Sequence, residues 1–70
     1  MKFIECKDAC GEDCLVDPLS VQLVEQCKED GKPFCIVYFT NGIHAELAEP
    51  YEEIKRKFND YMNNWYYKFF

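Results

Sequence analysis

Histidine and glycine, on which many catalytic and phosphate-binding motifs depend, are scarce in this sequence. The chain of 70 residues has one histidine, His44, and three glycines. Glycine is too sparse for a phosphate-cradling loop, and nothing near His44 specifies a cysteine partner or an orienting group for nucleophilic catalysis. A chain this short also leaves little room for a substrate pocket. We therefore expect a protein that is not an enzyme.

Long apolar runs are missing as well. None approaches the roughly 20 residues that a membrane-spanning helix needs. The first ten residues, MKFIECKDAC, carry charges where a signal peptide has its apolar core. We expect a cytoplasmic protein with no membrane partner. Cytosolic thiols are usually reduced, and the five cysteines cannot all pair within one chain, so we do not expect a disulfide scaffold.

Apolar and aromatic residues are plentiful. Hydrophobic residues make up 49% of the chain and aromatic residues 17%. Each aromatic side chain buries roughly 150–250 Å², so a compact core is feasible even though a chain of this length buries only about 60% of its unfolded surface. We expect residues 1–70 to form a single compact domain.

The first half of the chain contains residues that are typical of the start and the end of a helix. Residues 2–6 alternate apolar and polar side chains and predict a strand, and the acidic stretch 7–16 is typical of a loop. The segment DPLSVQLVEQCKEDG then predicts a helix, with Asp17 as the N-cap, Pro18 in the first turn and Gly31 at the C-terminal end.

The second half begins with a predicted hairpin. Residues 34–39 form a continuous apolar run of strand length, so both faces of this strand should be covered. The Asn-Gly dipeptide at 41–42 favours a two-residue type I′ turn. Such a turn would pair Tyr38 with Ala45 and place both on the more apolar face.

From Pro50 onward the spacing of apolar residues is helical. The predicted fold is therefore α+β: a small antiparallel sheet in β-α-β-β-α order with two helices packed on it. Residues 43–49 are left open between strand and helix.

Two segments resemble thioredoxin-like proteins. EDGKPFCIVYFT is similar to the helix end and central strand of that fold, and EPYEEIKRKF is similar to the proline-bearing helix that follows there. In this chain NGIHAE stands where the family has its Cys-x-x-Cys motif. The resemblance therefore implies at most a redox-inactive relative.

Three cysteines lie within nine residues, and each is separated from the next by three others: Cys6, Cys10 and Cys14. This spacing lies within the range of zinc-binding Cys-x2–4-Cys pairs, and Cys35 or His44 could supply a fourth ligand. A small zinc-stabilised protein-interaction domain is thus one alternative. A thiol oxidoreductase is another, and it requires a lowered pKa in one of the three thiols. On the remaining interpretation the thiols are incidental and no cofactor is bound.

Negative charge dominates the chain, with a net charge of −5. The acids fall into three groups along the sequence: Glu5, Asp8, Glu12, Asp13 and Asp17; Glu25, Glu29 and Asp30; and Glu46, Glu49, Glu52 and Glu53. Carboxylates at i and i+4 on a helix lie about 5–6 Å apart at Cβ, close to the spacing of successive phosphates. A direct nucleic-acid binder would show a basic stripe instead. The array would therefore imitate nucleic acid and bind a basic protein, unless it is only a solvated surface.

Aromatic residues are concentrated at the C-terminal end, where eight of the twelve lie in residues 51–70. One helical face would bury the main apolar stripe. The remaining aromatics predict a homodimer contact or a partner interface, because monomers seldom expose clustered aromatics: Trp65, Tyr66, Tyr67 and Phe70.

The function that these features favour is non-enzymatic binding. In size, acidity and aromatic content the chain resembles the small acidic proteins that phages make to block host factors, some of which act as DNA mimics. This is a likeness of profile with no shared motif. It implies an inhibitor or modulator of a basic host protein that binds DNA or RNA, and it places the protein in the host cytoplasm.

Overall fold

The structure, a computed structural model, describes residues 3–68 and the side chains of residues 3–63. The described part contains five strands, a 3₁₀ helix and an α-helix, in the order β1 (Ile4–Lys7), β2 (Asp13–Val16), 3₁₀ helix (Pro18–Ser20), β3 (Val21–Glu29), β4 (Lys32–Phe39), β5 (His44–Leu47) and α1 (Tyr51–Lys68). Strands β1 and β2 form one sheet, and β3, β4 and β5 form a second sheet with β4 in the centre. The predicted β-α-β-β-α order, with two helices on one sheet, is therefore wrong.

The largest error concerns residues 17–31, which form a short 3₁₀ helix and a strand instead of an α-helix. Asp17 does cap a helix, since its Oδ1 accepts a hydrogen bond from the Leu19 N–H at 3.1 Å, and Pro18 is the first helical residue. The helix nevertheless ends at Ser20. From Val21 onward the chain is extended and pairs with β4.

The turn after β3 explains why a helix was predicted for this segment. Asp30 and Gly31 both have positive φ, 50° and 77°, and they connect β3 to β4 as a two-residue hairpin loop. Asp-Gly is a preferred sequence for such a turn, while a glycine after an apolar segment is also a helix C-cap signal. The EDGKPFC segment is thus a hairpin, so it does not have the helix end seen in thioredoxin-like proteins.

The hairpin between β4 and β5 exists, but its register differs from the predicted one. The loop spans residues 40–42, and Gly42 has φ 87°, as in three-residue loops built on a type I turn followed by a left-handed residue. Tyr38 therefore faces His44 and not Ala45. Because side chains alternate along a strand, this shift of one residue moves the apolar set of β5 to the other face.

Residues 7–16, predicted as a loop, are mostly a second hairpin. Cys6 lies directly opposite Cys14 across β1 and β2. The hairpin contacts the other sheet through a bridge between Asp8 and Leu47, and the Ala48 N–H donates to the Lys7 carbonyl at 2.9 Å. These contacts place β1 beside β5.

The core lies between α1 and the inner faces of the two sheets. It consists of Ile4, Cys6, Val16, Cys35, Val37, Leu47, Ile54 and Tyr61. Helix α1 begins after Pro50, whose carbonyl accepts the first hydrogen bonds of the helix. Within residues 3–68, no helix is both long and apolar enough to cross a membrane.

Candidate protein-binding surface

The acids that the sequence groups together are distributed over several sides of the fold. Glu25 and Glu29 lie on β3, not on a helix. Four residues of strand separate them by about 14 Å, so the phosphate-like spacing expected for an i, i+4 helical pair does not apply to these two carboxylates.

Some of the acids are paired with basic side chains of the same molecule. Asp13 accepts a hydrogen bond from Lys7 Nζ at 2.5 Å. The Arg56 guanidinium binds both Glu53 and Asp60, and its hydrogen bond lowers the pKa of Glu53. These ion pairs are exposed, and they reduce the number of carboxylates available to a partner.

Glu49, predicted as part of the acidic array, is buried at 9% exposure. Its Oε1 lies 2.5 Å from Lys57 Nζ, and its Oε2 accepts the backbone N–H of Lys7 at 2.8 Å. Lys57 also donates to the backbone carbonyl of Glu5 at 2.8 Å. Glu49 therefore joins α1 to β1 inside the protein.

Three of the five thiols, those of Cys6, Cys14 and Cys35, have a raised pKa. Burial raises the pKa of Cys6 to about 12, with a smaller contribution from the Glu49 carboxylate. Burial also raises the pKa of Cys14 and of Cys35. A reactive thiol needs a lowered pKa, and burial shifts the pKa of these three thiols in the opposite direction.

Among the candidate zinc ligands, Cys6 and Cys14 lie opposite each other across β1 and β2, but the full set does not gather at one point. Cys6 is in the core, Cys10 is exposed in the turn after β1, and Cys14 is half-buried on β2. Cys35 is buried on β4, while the ring of His44 lies 5.8 Å from that of Tyr38. Nowhere in the described chain do three or more His, Cys, Asp or Glu side chains form a group that could hold a metal ion.

The side of the β3–β4–β5 sheet opposite the core combines apolar and acidic side chains, and we call it the outer face. Strand alternation and register assign to it Leu23, Glu25, Cys27, Phe34, Ile36, Tyr38, His44 and Glu46. Its central residues on β4 are only half-buried. The outward residues Phe34, Ile36 and Tyr38 are thus less covered than Cys35 and Val37 on the inner side of the same strand.

The outer face has an apolar centre with a carboxylate on each side. In its middle row, Glu25 of β3 and Glu46 of β5 both pair with Ile36 of β4. The Tyr38 hydroxyl donates to Glu25 Oε1 at 3.2 Å. Desolvation and the Glu25 carboxylate raise the pKa of Tyr38.

An open pocket of about 360 Å³ adjoins one end of the outer face. Phe34 and Glu46 belong to both, and the rest of the lining includes Glu29, Asp30 and Lys32. Three carboxylates and one ammonium group therefore surround this end of the sheet, which extends the negative potential beyond the middle row.

The sequence interpretation missed the apolar part of this surface, because it predicts that residues 34–39 are covered on both faces of the sheet. The Asp30-Gly31 dipeptide was the signal that could have identified β3 as a strand. The predicted interface aromatics, Trp65, Tyr66, Tyr67 and Phe70, lie outside the side chains that the structure describes.

Comparisons with protein-family models, with curated proteins and with solved structures found no match to this chain.

Proposed function

We propose that the protein is a non-enzymatic, acidic binding protein that modulates or inhibits a basic protein partner. The observation that carries this proposal is a group of exposed carboxylates on and beside the outer face: Glu25, Glu29, Asp30 and Glu46. Among residues 3–63, none of the four forms an ion pair with a lysine or arginine. Their charge is therefore available to an external cation.

The partner class that suits this surface is a protein that binds DNA or RNA, because its basic groove is built to accept anionic groups. Carboxylates that enter such a groove displace counterions as phosphates do. The raised thiol pKa values of Cys6, Cys14 and Cys35 favour this role over thiol chemistry.

The test is capture of partners from a bacterial lysate, followed by titration of the purified captured protein. We expect affinity to fall at least about tenfold between about 50 and 200 mM salt, and duplex DNA to compete for the same site. Affinity that does not change with salt, or a partner that binds DNA and this protein simultaneously, would contradict the proposal.

A charge-reversal variant locates the site. Glu25→Lys combined with Glu46→Lys should abolish binding to the captured protein, whereas Glu5→Lys combined with Glu52→Lys changes the net charge equally and should leave most of the affinity. Equal losses in both variants would show that overall charge, and not this surface, determines binding.

A further inference from the structure

We propose that the outer face docks one amphipathic α-helix of a partner protein, with the apolar stripe of that helix on Phe34, Ile36 and Tyr38 and its lysine or arginine side chains against Glu25 and Glu46. This inference rests on the proposed function, for which it specifies the surface and the kind of basic segment that is bound.

The apolar centre of the outer face supplies the contact area. Phe34, Ile36 and Tyr38 follow one another at every second position of the central strand, so their side chains form a continuous column. All three are only half-buried, and the neighbouring Leu23 is 54% exposed. In residues 3–63 the apolar side chains that pack on the core are on the opposite side of this sheet.

The dimensions of the outer face fit a single helix. Three strands place β3 and β5 about 9.5 Å apart, and an α-helix with its side chains is about 10–12 Å in diameter. The column from Phe34 to Tyr38 is about 14 Å long, which corresponds to about nine helical residues. A partner helix of two to three turns would therefore cover the apolar column.

The charges decide which occupant is favoured. Glu25 and Glu46 stand on either side of the column, and Glu29 and Asp30 continue the negative charge beyond its end. A helix whose apolar stripe is flanked by basic residues complements both edges at once. A second copy of this chain would bring the same carboxylates together, and nucleic acid would bring phosphates to them, so like-charge repulsion opposes both.

Three fluorescently labelled peptides of about 18 residues test the docking, because shorter helices are marginal in water. The first has a leucine stripe at helical spacing flanked by lysines. The second has the same composition with the leucines scattered around the helix. The third has the stripe of the first with glutamates in place of the lysines. Affinity is measured by fluorescence anisotropy.

We expect the striped basic peptide to bind at least about tenfold more tightly than the scattered one, since only it presents a continuous apolar face. The glutamate peptide should not bind. Ile36→Asp should abolish the preference for the striped peptide. Leu15→Asp is the matched control, because Leu15 is also an apolar strand residue and is 66% exposed on β2. Thermal melts of both variants establish that they fold.

The charge-reversal pair keeps the test decisive if Ile36→Asp fails to fold. Glu25→Lys with Glu46→Lys should weaken binding of the striped peptide at least about tenfold, and Glu5→Lys with Glu52→Lys less than about threefold, since only the first pair flanks the column. The control acids lie on β1 and α1.

The possible results separate the two proposals. If the striped and scattered peptides bind equally, and both lose affinity with salt, the docking inference is overturned while the acidic binding function stands. If neither basic peptide binds, the docking inference is overturned, and the salt titration of the captured protein decides the proposed function separately. If sedimentation shows a dimer that Ile36→Asp converts to monomer, a second copy occupies the outer face and helix docking is overturned.

Discussion

Replacing Glu49 with alanine is expected to destabilise the fold by about 3–5 kcal/mol, the range for removal of one partner from a buried ion pair. The structure gives two reasons. Lys57 would remain with its side chain only 21% exposed, and its ammonium group would keep just the Glu5 carbonyl bond. The backbone N–H of Lys7 would also lose its acceptor. A chain of 70 residues has about 4–10 kcal/mol of stability in total, so this loss would be a large part of it.

The measurement is urea unfolding followed by far-ultraviolet circular dichroism. Glu53→Ala is the matched control, because Glu53 is also an acid of the α1 region paired with a basic residue, Arg56, but that pair is exposed and exposed pairs contribute little. Adding Lys57→Met to Glu49→Ala should recover part of the lost stability, since no unpaired charge then remains buried. The reasoning is refuted if Glu49→Ala and Glu53→Ala lower the urea midpoint equally.

Three further outcomes are expected. Cys6 should resist a thiol reagent in the native protein at pH 8, while the exposed Cys10 should react. Burial raises the pKa of Cys6 from 9.0 to about 12, so the unfolded state loses this proton at a lower pH than the native state. The stability of the fold, measured by thermal melts, should therefore fall as pH rises from about 9 to about 12. Fast native labelling of Cys6, or stability that is flat across the interval, would contradict this. Gly42→Ala should cost about 1–2 kcal/mol in urea unfolding, since φ is left-handed at this position, and Gly42→Asn should cost less; equal effects would count against a backbone cause. Asp17→Ala should cost about 0.5–2 kcal/mol through loss of the 3₁₀ cap, and an unchanged melting temperature would show that the cap is not needed.

Local signals in the sequence identified individual features more reliably than their arrangement. The helix after Pro50 and the hairpin at 41–42 depend on short-range chemistry, and both are present. Asp17 was recognised as a cap for the same reason. What short-range chemistry does not determine is how far the chain remains helical, and Val21–Glu29 became a strand because β4 is available to pair with it.

The candidate site depended on register, which is a tertiary property. A two-residue loop and a three-residue loop are both compatible with Asn41-Gly42, and the choice between them determines whether Tyr38 and Ile36 face the core or solvent. The structure has the longer loop, so Val37 and Cys35 are buried and the larger side chains face outward. The acidic character of the surface could be predicted from composition, but its apolar centre could not.

The helix predicted over residues 17–31 is absent, and this changes how the sheet is covered. The sequence predicts two helices on the sheet, but most residues of the first one add a strand to it, β3. Helix α1 covers the inner face, with Ile54 and Tyr61 in the core. A central strand with apolar side chains on both faces still favours cover on its second face. A partner helix would supply the layer that residues 17–31 do not form, and Glu25 and Glu46 at its two edges would select a basic one.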